Sequence, residues 1–395
     1  MKTNWNDIFL STYGTPSVTL VRGQGSRVWD SSGNEYIDLL GGIAVNILGA
    51  AHPKYVQAVT EQVGTLVHTS NLYINEPSVK LANKLQDLVG CPESKVFFCN
   101  SGAEANEAAL KLSRLTGKTE VVVVEGSFHG RTMGSLSLTA QPAKQVPFAP
   151  LLGDVTVVNL NDLEALREAI TPTTAAVFLE VIQGEAGVRA LTHEFIRSAR
   201  EWTKEVGALL IIDEVQTGVG RTGSWWAYSE SGIVPDAITV AKSLAGGLPI
   251  GALITFGDTS SLFTPGSHGS TFGGNPVSCA AALAVIDVIE QENLLSRASD
   301  VAATLQKQLV EMSHGLVTHV RGRGLLLAAE LNIASEQNAA AAFVGQAMEN
   351  GILVNAVSPT AIRLAPALTI TDSEVEQSLK AWEMTCSFFV GKLDV

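Results

Sequence analysis

The chain has 395 residues, 46% hydrophobic and 16% charged, with 36 glycines, a composition that excludes a disordered chain and suits a folded core with many tight turns. Its 39 acidic and 26 basic residues leave a net charge of −13, which speaks against nucleic acid or an anionic membrane as partner while allowing a local basic pocket. Cys91, Cys99, Cys279 and Cys386 follow neither metal-ligand nor disulfide spacing; with no basic-then-apolar leader in MKTNWNDIFLSTYGTP and apolar runs only of strand size, no metal is expected and the expected location is cytoplasmic.

Residues 1–50 read as a short helix or arm and then small strands. Val28–Trp29 and Tyr36–Ile37 flank the turn-forming stretch Asp30, Ser31, Ser32, Gly33 and Asn34, a hairpin pattern. From His52 to Val89, apolar residues at three and four spacing in KYVQAVTEQV and SVKLANKLQDLV predict helices. From Lys95 to about Gly251, short apolar runs alternate with amphipathic segments. KVFFC, TEVVVVE, VTVVNL, AAVFLEV, ALLIID and DAITVA, extended by ALITF, predict strands, with helices at 104–116, 161–170 and 193–206. That alternation predicts an α/β domain whose mostly parallel central sheet is covered by helices. After Asn275 a long helix with a break near Asn293 is expected. RGRGLLLAAEL, a helix over 335–349, GILVNAV, AIRLAPAL and a final helix then make a smaller α+β domain. The expected division is an arm and hairpin over 1–60 belonging with the small domain, a large α/β domain over 61–285, and the small α+β domain over 286–395.

ALLIIDEVQTGVGRTG drives Asp213 and Glu214 to the end of an apolar run. The ordinary reading is a strand ending at the surface; the alternative is a buried acid with a cationic or protonated partner. Lys242, in ITVAKSLAGGLPIGA, also follows an apolar strand. In a parallel sheet both strand ends open onto one crevice. An acid and a desolvated amine there suit pyridoxal phosphate: the acid keeps the pyridine nitrogen protonated, and the amine holds and releases the aldehyde.

In CNSGAEANEAALKLSR, strand gives way to helix at Asn100, Ser101, Gly102 and Ala103, an anion site with Ser101 Oγ as extra donor, although the same turn serves as a plain helix cap elsewhere. EGSFHGRTMG sets Phe128, His129 and Arg131 between glycines: an aromatic that can stack on a planar ring and an arginine that can grip a carboxylate, or an ordinary loop. LEVIQGEAGV carries Glu180 and Glu185 off another strand. GSHGSTFGGNPVSC, a flexible loop on its plainest reading, offers Ser270 and Thr271 before a helix. Arg363, between Ile362 and Leu364, is costly to bury without an anion. HExxH and Walker patterns are absent, and GQGS leads into a hairpin rather than the helix of a dinucleotide fingerprint.

From STYGTPSV and GNEYIDLLGGIAVNILG through NSGAEANEAALKL, SFHGRTMG, EVIQGEAGV, LLIIDEVQTGVGRTG and AKSLAGGLPIGA to HGSTFGGNP and RLAPAL, the chain resembles the class III, fold-type I pyridoxal-phosphate aminotransferases nearly end to end. The resemblance implies a fold-type I PLP-dependent transferase that is a homodimer with active sites shared between subunits. Lys242 would bond the cofactor aldehyde and then shuttle a proton between substrate and cofactor. Asp213 would pair with the pyridine nitrogen, with His129 in the same site. Phe128 would cover one ring face and Val215 the other, with Gln216 near the phenolic oxygen. Ser101, Gly102 and Ala103 would hold the phosphate, joined by Thr271 from the second subunit. Arg363 would grip the α-carboxylate and Arg131 a second carboxylate, with Ser270 beside the substrate. Glu185 would be a movable acid with a part in catalysis, masking an arginine when the amino donor lacks a second acid group and swinging away for glutamate. Two arginines and a movable glutamate let two different substrates share one site without leaving a buried charge unpaired.

Members acting on free ornithine carry a tyrosine in the stretch matching Asp38–Asn46, and this chain has none there, which favours an N-acylated donor. The expected reaction moves the δ-amino group of N2-acetyl-L-ornithine to 2-oxoglutarate, as in arginine biosynthesis. Succinylornithine, succinyldiaminopimelate, 4-aminobutyrate and ornithine are rival donors. A non-catalytic scaffold binding a partner through its acidic surface is the rival from another class.

Overall fold

Valine, isoleucine and alanine runs build the centre of the molecule, which a computed structural model describes over residues 5–333 and 339–393. Seven strands lie side by side in the order Lys95–Cys99, Gly251–Thr255, Ala237–Val240, Leu209–Asp213, Thr174–Leu179, Glu120–Val124 and Val155–Val158. Strands Thr174–Leu179, Leu209–Asp213, Ala237–Val240 and Gly251–Thr255 are buried along their whole length, because helices cover both faces; that is why they read in sequence as unbroken apolar runs. Phe178, fully buried at the centre, is worth about 3–5 kcal/mol against truncation to alanine.

The sheet is mixed rather than wholly parallel. Gly251–Thr255 runs antiparallel to both its neighbours, while the pairings of Leu209–Asp213 with Ala237–Val240 and with Thr174–Leu179 are parallel, as are those of Glu120–Val124. The cause is connection length: residues 241–250 are too few for the dozen or more a parallel crossover requires, so the chain doubles back. One consequence governs the site. Cys99, Val124, Leu179, Asp213 and Val240 all end their strands at the same edge of the sheet.

Helices are set by local caps. Ser101 Oγ accepts the Glu104 N–H at 3.2 Å and opens helix Gly102–Arg114. Thr192 caps His193–Val206, whose apolar side buries Phe195, Ile196 and Ala199 and which ends on the left-handed Gly207. Asn275 caps Pro276–Gln291, and Leu294–Glu311 follows after Asn293, whose φ of 52° breaks the run where the sequence suggested.

A smaller layer joins the two chain ends. The hairpin Arg27–Asp30 and Glu35–Asp38 turns around Asp30, whose carboxylate accepts the Ser32 and Asn34 N–H groups at 2.9 Å. Ile352–Leu353 extends its sheet in parallel. Val317–Arg323, Leu326–Leu331, Ala361–Leu364 and Asn355–Ala356 form an antiparallel sheet. The helix expected over 335–349 runs Ala339–Glu349, and 335–338 lie outside the described residues. Arg221 ties this layer to the large sheet. Fully buried, it donates from Nη1 to the carbonyls of Leu325 (3.1 Å) and Pro366, and its own carbonyl accepts Leu325 N–H at 2.9 Å. Among the described residues no helix is long and apolar enough to cross a membrane.

Candidate active site

The shared strand edge opens into a cavity of about 380 Å³ lined by Ser101, Gly102, Ala103, Phe128, His129, Arg131, Asp213, Val215, Gln216 and Lys242. Ten of the residues singled out in the sequence therefore meet in one place, although they come from four separate segments.

Asp213 is only 3% exposed. Its Oδ2 accepts from Asn106 Nδ2 at 2.8 Å and lies 2.7 Å from His129 Nδ1; its Oδ1 accepts the Val215 N–H at 2.9 Å. Burial works against a charged His129, yet the Asp213 carboxylate outweighs it and raises the imidazole above its ordinary value. His129 Nε2 is buried without a partner among the described residues. Glu214, also fully buried, has a separate job. It accepts from the Thr217 hydroxyl and from Tyr228 N–H at 2.9 Å, holding the loop beyond the strand, and burial pushes its carboxyl up to about 7. The acid pair thus divides: one faces the cavity, and the other is a structural group whose burial favours its protonated form.

Lys242 follows strand Ala237–Val240 with φ 42°, a left-handed conformation that costs a non-glycine residue about 1–2 kcal/mol. Desolvation lowers its pKa; Glu185 opposes that and Arg363 adds to it. An amine so placed is more readily neutral, and hence nucleophilic, than a surface lysine.

The turn before helix Gly102–Arg114 presents first-turn amides that have no intrahelical acceptor. Gly102 must lack a side chain, since a Cβ there would stand 2.6 Å from Val215 Cγ1. Phe128 is half-buried, with the Arg131 guanidinium 5.5 Å and Lys144 Nζ 5.6 Å from its ring centroid. Arg131 is exposed at the mouth, free to meet a carboxylate arriving from solvent.

Arg363 is fully buried and ion-paired with Glu185 through Nη1. The same nitrogen donates to Gly184 O at 3.1 Å and Gln216 Oε1 at 3.0 Å, and Nε donates to Asn355 Oδ1 at 3.1 Å. Nη2 is buried with no partner among the described residues. Burial opposes a charged Glu185, but Arg363 prevails and holds its carboxyl below the usual range. Gln216, expected near a phenolic oxygen, lines the cavity with its amide engaged by Arg363 and, at 3.2 Å, by Glu185.

Ser270 and Thr271 do not reach this cavity. They lie on the loop before Pro276–Gln291, in a separate cleft beside the edge strand Lys95–Cys99. Ser270 Oγ accepts from Asn100 Nδ2 at 3.2 Å and from Gly273 N–H at 2.9 Å, while Thr271 is exposed. Sequence reasoning missed Asn106, Lys144 and the contact of Glu180 with Phe128. For Asn106 a signal existed: a polar residue one helical turn after Gly102 in an alanine-rich, buried stretch.

Pyridoxal phosphate fits these residues. The glycine-opened helix N-terminus suits its phosphate, the buried Asp213 a protonated ring nitrogen, the half-buried Phe128 and Val215 its two faces, and the desolvated Lys242 amine its aldehyde.

The family Aminotransferase class-III matches residues 10–385. The acetylornithine aminotransferase of Mycobacterium tuberculosis (strain H37Rv) is 52% identical over 377 residues, covering 95% of this chain and 93% of that protein. The acetylornithine aminotransferase of Streptomyces coelicolor is also 52% identical, over 378 residues, with the same coverage. Among solved structures, an ornithine aminotransferase from Toxoplasma gondii with partial occupancy of PLP at its active site superposes with a TM-score of 0.94 at 31% identity, covering 99% of this chain and 94% of that one. The N-acetylornithine aminotransferase of Stenotrophomonas maltophilia gives 0.84 at 35% identity, covering 96% and 98%.

Proposed function

The chain belongs to the class-III aminotransferases, and we propose that it moves the δ-amino group of N2-acetyl-L-ornithine to 2-oxoglutarate, giving the 5-semialdehyde and L-glutamate. A fold of this class carries a pyridoxal-phosphate site. That cofactor, when bound, supplies an electrophilic aldehyde and a ring that takes up the electron pair left when a proton departs from the carbon bearing the amine.

The observation that carries the reading is the half-masked arginine. Nη1 of Arg363 is covered by Glu185, whereas Nη2 is buried and unpartnered. A donor with no acid at that end leaves the pair intact. Glutamate or 2-oxoglutarate brings a carboxylate that can take the place of Glu185, whose side chain is a quarter exposed and so able to move. Arg131, exposed at the mouth, would take the remaining carboxylate of either substrate. Lys242 Nζ would hold the aldehyde between turnovers and, once released, accept and return the proton at the reacting carbon. Asp213, fixed by Asn106, His129 and Val215, would keep its charge toward the ring nitrogen. The stretch Asp38–Asn46, of which Val45 lines the cavity, lacks the tyrosine that ornithine-acting members carry there, which favours the acylated donor over free ornithine.

We propose in addition a homodimer in which Thr271 and Ser270 complete the partner's site. Both sit outside their own cavity beside the exposed Phe272 (62%), and Asn71, which donates to the Ser270 carbonyl at 3.1 Å, belongs to a segment with the exposed Leu72 (83%) and Ile74 (89%). That much apolar surface in one region is characteristic of an interface.

The test is kcat/KM with 2-oxoglutarate against acetylornithine, succinylornithine, succinyldiaminopimelate, ornithine and 4-aminobutyrate, with Lys242→Ala as blank. A preference of about tenfold or more for acetylornithine, roughly 1.4 kcal/mol in transition-state binding, supports the assignment. A preference for another donor would keep the chemistry and reject the substrate, and turnover with none would reject the enzyme.

A further inference from the structure

Glu180 has no role in the reading above, yet it stands in the middle of the site. It follows strand Thr174–Leu179, which runs parallel to Leu209–Asp213 with Leu179 opposite Ile212. The next residue of each strand segment is an acid, so Glu180 and Asp213 are neighbours at the sheet edge. Glu180 is 6% exposed and lines the cavity.

Two acids side by side in so little solvent repel each other, and packing alone would favour an apolar residue at one position. Asp213 is compensated by three donors, from Asn106, His129 and Val215. For Glu180 the hydrogen bond seen is to the main chain: Oε2 accepts the Phe128 N–H at 2.8 Å. The ionisable groups facing it are His129, Asp213 and Lys242. Burial pushes its carboxyl up to about 7; His129 and Lys242 work against that and Asp213 adds to it.

The bond matters because of what Phe128 does. Residues 125–132 form no regular structure, so no strand or helix ladder fixes the position of this aromatic. The neighbouring His129 N–H is held by Thr139 Oγ1 at 2.9 Å, and its ring by Asp213. The Phe128 amide is held from the cavity side by Glu180.

We infer that Glu180 is a further positioning residue: by holding the main-chain amide of Phe128, its carboxylate fixes the aromatic ring against the plane of the cofactor. This inference rests on the pyridoxal-phosphate reading of the site. It separates reach from charge. Glu180→Gln loses the charge and keeps an acceptor oxygen at the same reach, whereas Glu180→Asp keeps the charge and withdraws the oxygen by one methylene.

The experiment titrates cofactor-free full-length protein with pyridoxal phosphate. It follows binding by absorbance, the circular dichroism of the bound cofactor as a report on how its ring is held, and the Tm of the unloaded protein. Glu180→Gln should bind within threefold of the unaltered protein and keep the dichroic band. Glu180→Asp should bind at least tenfold more weakly with the band reduced by half or more, and neither should shift the unloaded Tm by more than a few degrees. Aspartate binding as well as glutamate, or glutamine as impaired as aspartate, would overturn the inference while leaving the proposed function standing. Failure of the unaltered protein to bind pyridoxal phosphate would overturn both.

Discussion

Arg363 and Glu185, 178 residues apart in the chain, form an ion pair whose arginine is wholly buried and whose carboxylate is a quarter exposed. The asymmetry is what the proposed switch requires: the cation is held in place by Gly184, Gln216 and Asn355, and the anion reaches solvent.

Glu185→Ala removes the mask and leaves Arg363 buried without its counter-charge. A donor with no carboxylate to offer there must then bind next to an unpaired cation, which is costly. The ratio of kcat/KM for glutamate to that for acetylornithine should rise at least about tenfold, roughly 1.4 kcal/mol. Half-reactions measured separately with each donor would check this. An equal fall in both would show that Glu185 serves the chemistry common to the two rather than the choice between them.

Asn106 has a different kind of importance, since it serves three partners at once. Its Nδ2 donates to Asp213 and to the His129 carbonyl, each at 2.8 Å, and its Oδ1 accepts the Thr239 hydroxyl at 2.8 Å. Asn106→Leu preserves volume and strands all three in a buried setting. Each unmet group costs about 1–3 kcal/mol, so the variant should melt several degrees lower and bind pyridoxal phosphate at least about tenfold more weakly. Cofactor affinity unchanged in a protein of lowered Tm would show that the network supports the fold alone.

Much of this was legible in the sequence, for reasons that can be named. Strands such as Leu209–Asp213 are buried on both faces, so each shows as an unbroken apolar run, and Asp213 stands out at its end. The motif residues around Gly102, Phe128 and Lys242 carry their own chemistry. What stayed hidden depends on contacts between distant segments. Nothing local to Glu180 says that its oxygen meets Phe128, 52 residues earlier, and nothing local to Gln216 says that its amide meets Arg363, 147 residues later. The reversed strand Gly251–Thr255 was readable only from the length of residues 241–250, not from its composition.

Glu214 gives a prediction in pH. Its carboxyl is raised to about 7 by burial, so between the ordinary glutamate value and 7 the folded state holds a proton that the unfolded chain has released. Its contribution to stability is therefore full below about 4.5, declines as pH rises toward 7 and is flat above. That contribution is on the order of a few kcal/mol. Glu214→Gln keeps an acceptor for the Tyr228 N–H and loses the titration. Relative to the unaltered protein it should gain stability at pH 8 over pH 5, read from denaturant midpoints at both values. A difference independent of pH would mean that Glu214 is not protonated in the fold.

Gly102 tests the geometry of the phosphate turn. A Cβ at this position would lie 2.6 Å from Cγ1 and 2.8 Å from Cγ2 of Val215, closer than such atoms approach, so Gly102→Ala must displace Val215. Val215 cannot move freely, because its N–H is bonded to Asp213 Oδ1 at 2.9 Å. The push therefore travels from the turn at Gly102 to Asp213, the acid proposed to face the ring nitrogen. Cofactor affinity should fall at least about tenfold, roughly 1.4 kcal/mol, with a small loss of Tm. Adding Val215→Ala removes both methyl groups that the new Cβ meets and leaves the backbone bond to Asp213 in place. The double variant should then bind pyridoxal phosphate more tightly than Gly102→Ala alone, although Val215→Ala by itself removes a ring contact and weakens binding. That change of sign is what steric coupling between the two residues requires. If the two losses simply add, the glycine is present for the freedom of its own amide and not to make room for Val215.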